Sequence, residues 1–178
     1  MPVPEIDLVG VTDATARPDF DSFFRSEYPN PVSLATAVTG DRQAGEDVAA
    51  EAMSRAYRRW DRIGAYDKPG AWTRRVAVNL LNSRRRRLTS ELRAVLRLSG
   101  RGATEADRSA DVTGAANFRD LLAPLPPRQR TAVALHYLHD LPVADIAEAM
   151  DCAEGTVKSH LHAARAVMAE AVERDEES

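Results

Sequence analysis

The sequence predicts an all-α protein: two small helical domains joined by a flexible linker. Three observations carry this. Ala and Arg, both strong helix formers, are abundant, while aromatic residues make up only 6% of the 178 residues. Apolar side chains recur at helical spacing in two separate stretches. Between them, residues 99–116 (SGRGATEADRSADVTGAA) hold one large apolar residue, Val112, which marks a linker.

The elements follow in chain order. Residues 1–19 carry Pro2, Pro4 and Pro18 without a helical period and read as a flexible arm. Asp19 or Asp21 can cap a helix starting near Phe20, and Phe20, Phe23 and Phe24 share one of its faces. Pro29 and Pro31 interrupt it, and Leu34, Ala35 and Val38 resume before a turn at Gly40-Asp41. A long helix is expected from Ala44 to Trp60, with Val48, Ala52, Ala56 and Trp60 inward and Glu46, Asp47, Glu51, Arg55, Arg58 and Arg59 outward. Residues 61–70, with two glycines and Pro69, read as a loop. Trp72, Val76 and Leu80 then mark a helix over 70–87, ending in four consecutive arginines, with residues 88–98 as its extension.

The second domain is placed at 117–173. Asn117 is a good N-cap, and Pro127 suits the first turn of a helix reaching His139. A short helix follows over 141–150, with Val143, Ile146, Ala147 and Met150 inward. After a break at Asp151-Cys152-Ala153, a further helix runs over 154–173, with Val157, Leu161, Ala164 and Met168 inward. The acidic tail, 174–178, is expected to fray.

Several function classes are excluded by composition. One cysteine, Cys152, permits no intrachain disulfide. The N-terminus lacks the basic stretch and apolar run of a signal peptide. The longest apolar runs last about four residues, against about 18 for a membrane span. No membrane insertion is therefore expected, and the cytoplasm is the expected location. No Gly-rich phosphate loop, H-E-x-x-H or G-x-S-x-G occurs, so no catalytic residues, no enzyme activity and no cofactor are assigned. Zinc ligation by His136, His139, Cys152, His160 and His162 is set aside, because His160 and His162 point to different sides of one helix.

Charge supplies the first functional signal. Residues 20–98 hold fifteen basic and nine acidic side chains, while 117–178 hold six and eleven. A basic block in an acidic chain is a candidate nucleic-acid footprint. Two short helices joined by about three residues, with small Ala147 at their approach, form a helix-turn-helix pattern. Its second helix carries Thr156, Lys158, Ser159, His160 and His162, side chains suited to phosphates and base edges.

Glu154-Gly155-Thr156-Val157-Lys158-Ser159, preceded by Leu125-Pro126 and Ile146-Ala147-Glu148, resembles the fourth domain of extracytoplasmic-function sigma factors of bacterial RNA polymerase. The first block resembles their second domain. Ala44-Gly45-Glu46-Asp47-Val48 with Glu51 and Arg55-Ala56-Tyr57 looks like the family's polymerase-binding helix. Ala71-Trp72 followed by Arg75-Val76-Ala77-Val78-Asn79 looks like its promoter-melting helix. The resemblance covers residues 20–98 and 117–172. The excess of Arg over Lys is similar to that of actinobacterial members.

The resemblance implies a sigma factor that binds core RNA polymerase and directs promoter recognition, DNA melting and transcription initiation. Its partners are then core polymerase, promoter DNA and, as is common in the family, an anti-sigma factor. Glu46, Asp47, Glu51, Arg55 and Arg58 would contact polymerase. Tyr66, Lys68, Arg74, Arg75, Asn79, Arg84, Arg85, Arg86 and Arg87 would take the minus-ten element. Thr156, Lys158, Ser159, His160 and His162 would take the minus-thirty-five element. Ala153 stands where a capping serine is usual, and His160 and Ala163 stand where arginines are common. Two other classes fit the same pattern: a ligand-sensing regulator that binds duplex DNA alone as a dimer, and a protein that occupies polymerase without reading promoters.

Overall fold

The computed structural model describes residues 19–99 and 116–176, and the expectations for the arm, most of the linker and the last two residues lie outside them. The described residues form α1 (Phe20–Glu27), α2 (Pro29–Thr39), α3 (Arg42–Tyr57), α4 (Trp60–Ile63), α5 (Pro69–Ser99), α6 (Ala116–Leu122), α7 (Pro127–Tyr137), α8 (Val143–Met150) and α9 (Glu154–Glu176). No strand occurs among them.

Local chemistry explains the boundaries. Pro29 and Pro31 do not break a helix; they open α2. Both lie in its first turn, where backbone N–H groups have no intrahelical partner to lose. Gly40, at φ 76°, ends α2 in the left-handed region. Asp41 then caps α3, its Oδ1 accepting from the Gln43 N–H at 2.9 Å. The two helices pack closely because position 45 is glycine, where a Cβ would collide with Thr36 Oγ1 and approach Val32 O to 3.0 Å. The expected helix to Trp60 stops at Tyr57, and Trp60 starts the single turn of α4, which shortens the expected 61–70 loop. As the expected extension requires, α5 continues past the arginine run to Ser99, 31 residues in all.

In the second half Asn117 lies inside α6 rather than capping it. Pro127 opens α7 as expected, but α7 ends at Tyr137, two residues early. α8 closes on Asp151, whose φ of 52° is left-handed, and the Cys152 N–H bonds to Ala147 O at 3.0 Å. The N–H groups of Thr156 and Val157 reach back to Ala153 O, so Ala153 holds the N-cap position of α9 without a side chain to serve it. α9 runs on through Asp175 and Glu176, where fraying was expected.

Two apolar clusters hold the helices. The smaller joins Phe23, Met53, Ala56 and Ile63 with Phe20, Tyr28, Trp60 and Trp72. Trp72 is thus a packing residue. The larger cluster crosses the whole molecule, uniting Leu34, Val48 and Val78 with Leu122, Leu135, Ile146 and Leu161. Hence α2 packs on α7, and α5 packs on α8. Arg130 reinforces the seam by donating to Val38 O at 2.8 Å and to Ala123 O at 2.9 Å.

Candidate polymerase and nucleic-acid interfaces

The expected polymerase-binding residues lie along one side of α3 and at its C-cap, Arg58, and each acid has a basic partner. Glu46 Oε1 accepts from Arg42 Nε at 2.9 Å, and Glu51 Oε1 accepts from Arg55 Nε at 2.7 Å. Arg58 approaches Glu51 at 3.9 Å, and Arg84 of α5 approaches Asp47 at 3.9 Å. Helical spacing of four sets the first two pairs. The surface is charged, mixed in sign and solvent-facing, with Tyr57 two-thirds exposed beside it. It can exchange these weak pairs for those of a mixed-charge partner.

The minus-ten candidates do not all share one environment. Tyr66 and Lys68 are exposed on the loop before α5. Arg75, Asn79 and Arg86 fall at spacings of four and seven on α5, which puts them on one exposed face, and Arg84, Arg85 and Arg87 flank it in solvent. Arg74 is placed differently. It points inward against Glu27 at 3.5 Å, with only 17% of its side chain exposed. Burial pushes the Glu27 carboxyl above its usual value, against the opposing pull of Arg74 and a hydrogen bond with Asn30. Arg74 therefore ties α5 to α1 and is not presented to a ligand.

On α9 the inward stripe is Val157, Leu161 and Ala164, all buried. Thr156, Lys158, Ser159 and His162 are exposed on the other side. Ser159 Oγ donates to Gly155 O at 3.0 Å, and Lys158 lies 3.9 Å from Glu154. His160 departs from the expected surface: it is half-buried, and among the described residues its Nε2 has no hydrogen-bond partner. Sequence reasoning missed Arg165, which is exposed on the face of Lys158 and His162 and donates to the Tyr137 hydroxyl at 3.0 Å. Its spacing of seven from Lys158 was the available signal.

Residues 23–91 match the Sigma-70 region 2 family, and residues 115–168 match Sigma-70, region 4. The chain is 34% identical over 133 residues to the ECF RNA polymerase sigma factor SigL of Mycobacterium tuberculosis, covering 72% of this chain and 74% of SigL. It is 30% identical to SigM of the same organism over 169 residues, covering 93% and 83% of the two chains. Similarity to RNA polymerase sigma-E factor of Streptomyces coelicolor is 31% over 157 residues, covering 85% of each. In fold the chain is similar to the sigma factor RpoE in a co-crystal structure with the anti-sigma factor NepR from Bartonella quintana, at TM-score 0.69 and 22% identity, covering 87% of this chain and 97% of that one. With both matched regions present in order and relatives covered over most of their length, the chain belongs to the ECF sigma factors of bacterial RNA polymerase, the factors that initiate transcription.

Proposed function

We propose that residues 20–98 act as the core-polymerase and minus-ten domain, residues 117–173 as the minus-thirty-five domain, and residues 99–116 as the tether between them. Glu46, Asp47, Glu51, Arg55 and Arg58 dock on polymerase. Lys68, Arg75 and the arginines 84–87 hold the phosphates of the opened strand, and Tyr66 and Asn79 take its bases. Thr156, Lys158, Ser159, His162 and Arg165 face the major groove of the minus-thirty-five element. Arg74 and His160 support the fold instead. The chain itself catalyses no reaction, acts in the cytoplasm where polymerase is, and is held in check by an anti-sigma factor that covers its polymerase-facing surfaces.

The observation that most supports this reading is the exposed face of Arg75, Asn79 and Arg86 on the same helix that packs, through Trp72, against the polymerase-binding half. Run-off transcription with core polymerase on a matched promoter tests it. The expected result is promoter-dependent transcript only when the chain is added. Co-purification with core polymerase but no transcript would instead identify a protein that occupies polymerase without reading promoters.

A further inference from the structure

We propose that the arm before α1 folds back along that helix and seats residues 5–11 (Glu5-Ile6-Asp7-Leu8-Val9-Gly10-Val11) in an apolar groove where the two halves meet. Seated there, it straps α2 to α6 and to the end of α7. The docking does not depend on the polymerase or promoter assignments.

The groove is open and holds about 680 Å³, within the range of about 300–1,000 Å³ for clefts that bury a small ligand. Its walls come from both halves: Val32 and Ala37 from α2, Phe118 from α6, and Leu138 just past α7. Leu138 is 44% exposed, although apolar. Arg42 and Arg119 also line the groove. The Arg42 side chain is 81% exposed and pairs with Glu46 four residues on, while Arg119 makes no ion pair among the described residues. An exposed apolar patch bounded by charge marks a place for another piece of protein.

The arm has the composition to fill it. Residues 99–116 hold one large apolar side chain, whereas the arm carries Val3, Ile6, Leu8, Val9 and Val11 close together. A segment that only spans solvent gains nothing from such a run. In extended backbone Ile6 and Leu8 fall on one face, and Glu5 and Asp7 fall on the other. The apolar pair suits the groove walls, and the acids meet the opposite charge of Arg42 and Arg119. Path and reach are both available. Phe20, Phe24 and Tyr28 run along α1, with the first two rings 6.1 Å apart and Phe24 stacked on Tyr28 at 4.9 Å. Phe24 is exposed, and Tyr28 lines the groove. This aromatic track leads from Asp19, where the arm joins, along an eight-residue helix of about 12 Å. Val11 and Asp19 are eight residues apart and span up to about 28 Å, so the chain can turn back and still reach. Because Arg42 and Glu46 share an edge of α3, a protein docking on that edge displaces the arm.

The test uses the whole chain with Cys152→Ser and Val9→Cys, the latter carrying a nitroxide, and reads backbone amide signals by NMR. Position 9 falls on the face opposite Ile6 and Leu8, and Cys152 stands outside the groove, in the turn after α8. The oxidised label is expected to broaden the amides of Ala37 and Leu138, one from each half, and to spare Asp151 and Thr156, which do not line the groove. Ile6→Asp with Leu8→Asp should lower the docked-to-free ratio by about 10-fold or more and remove the broadening. Leu138→Asp, at an exposed position that leaves the core intact, should do the same at Ala37 from the groove side. No broadening in the parent overturns the proposal and leaves the groove to a separate partner. Broadening that persists in either variant overturns it too, because the arm then only passes nearby. Broadening that arises between labelled chains and isotope-enriched unlabelled ones assigns the groove to a second copy, and the strap falls.

Discussion

Residues 20–98 carry fifteen basic and nine acidic side chains, whereas 117–178 carry six and eleven, yet both regions belong to a protein that must meet DNA. The first presents a dense cationic face on one long helix. The second presents Lys158 and Arg165, seven residues apart, on the exposed face of a helix whose N-cap is alanine. The difference teaches that the two halves bind by different physics. The first can hold a strand through phosphate charge. On the proposed assignment, the second would rely on short polar groups for recognition and on polymerase to bring it to its site. α3 sharpens the contrast, because its acids are matched by arginines and suit a protein partner better than DNA.

The largest expected effect falls on the first half. Asp47→Lys with Glu51→Lys removes the acids and sets lysines against Arg84, Arg55 and Arg58. Co-purification with core polymerase should be lost while circular dichroism keeps its helical signal. Undiminished co-purification would place the polymerase contact elsewhere.

Next comes the packing that positions this surface. Gly45→Ala drives a methyl group into Thr36 and Val32. Over-packing costs about 1–3 kcal/mol, and the better helix propensity of alanine returns up to about 1 kcal/mol. A net loss of about 1–2 kcal/mol should appear as a lower thermal midpoint. An unchanged midpoint means that α2 and α3 can separate without cost.

Asn79→Ala tests base capture against simple charge. Open-complex yield, followed by permanganate reactivity, should fall by about 1–3 kcal/mol, with closed-complex binding retained. Equal losses in both would make Asn79 a structural residue.

For the second half, Lys158→Ala and Arg165→Ala should each reduce the slope of log K against log salt by up to about 0.9 for a minus-thirty-five duplex bound by holoenzyme. His160→Arg, which restores a common family residue, should add little to that slope and should lower stability, since position 160 is half-buried. A steep gain in slope from His160→Arg would show that this side chain swings outward on DNA.

The smallest effect sits at the join between the regions. His139 Nε2 lies 3.3 Å from Ser33 Oγ on α2. Burial, and then the charge of Arg74, hold its pKa below the usual 6.5. The folded state therefore disfavours the protonated ring, and stability is lost as pH falls from 6.5 through the lowered value. Glu27, whose pKa is raised from 4.5, acts in the opposite direction as pH rises above 4.5. His139→Gln should flatten the loss on acidification from pH 6.5, measured by thermal unfolding across pH. A slope identical to the parent would remove His139 from the seam's titration.

The helices themselves were written in local pattern. The stripes Val48-Ala52-Ala56 and Val157-Leu161-Ala164 are inward as their spacing required, and the turn at Asp151–Ala153 falls where the pattern breaks. Boundaries were less legible where one residue type has two meanings. Pro31 reads as a breaker, but in the first turn of a helix its missing N–H costs nothing. Asn117 reads as a cap, but it lies within α6 because that helix begins one residue earlier.

By itself, then, the sequence determined the helical class, the two blocks, the helix-turn-helix and the family, because each depends on short-range spacing or on motifs carried in one stretch. Only the tertiary structure decided which charges are available. Arg74 and Arg75 are neighbours of the same type, yet one is turned inward against Glu27 and the other reaches Asp151, seventy-six residues away. Nothing local separates them. A side chain's accessibility is set by what packs over it, and the cluster that joins Leu34 and Val78 to Leu135 and Ile146 is made of contacts between distant residues.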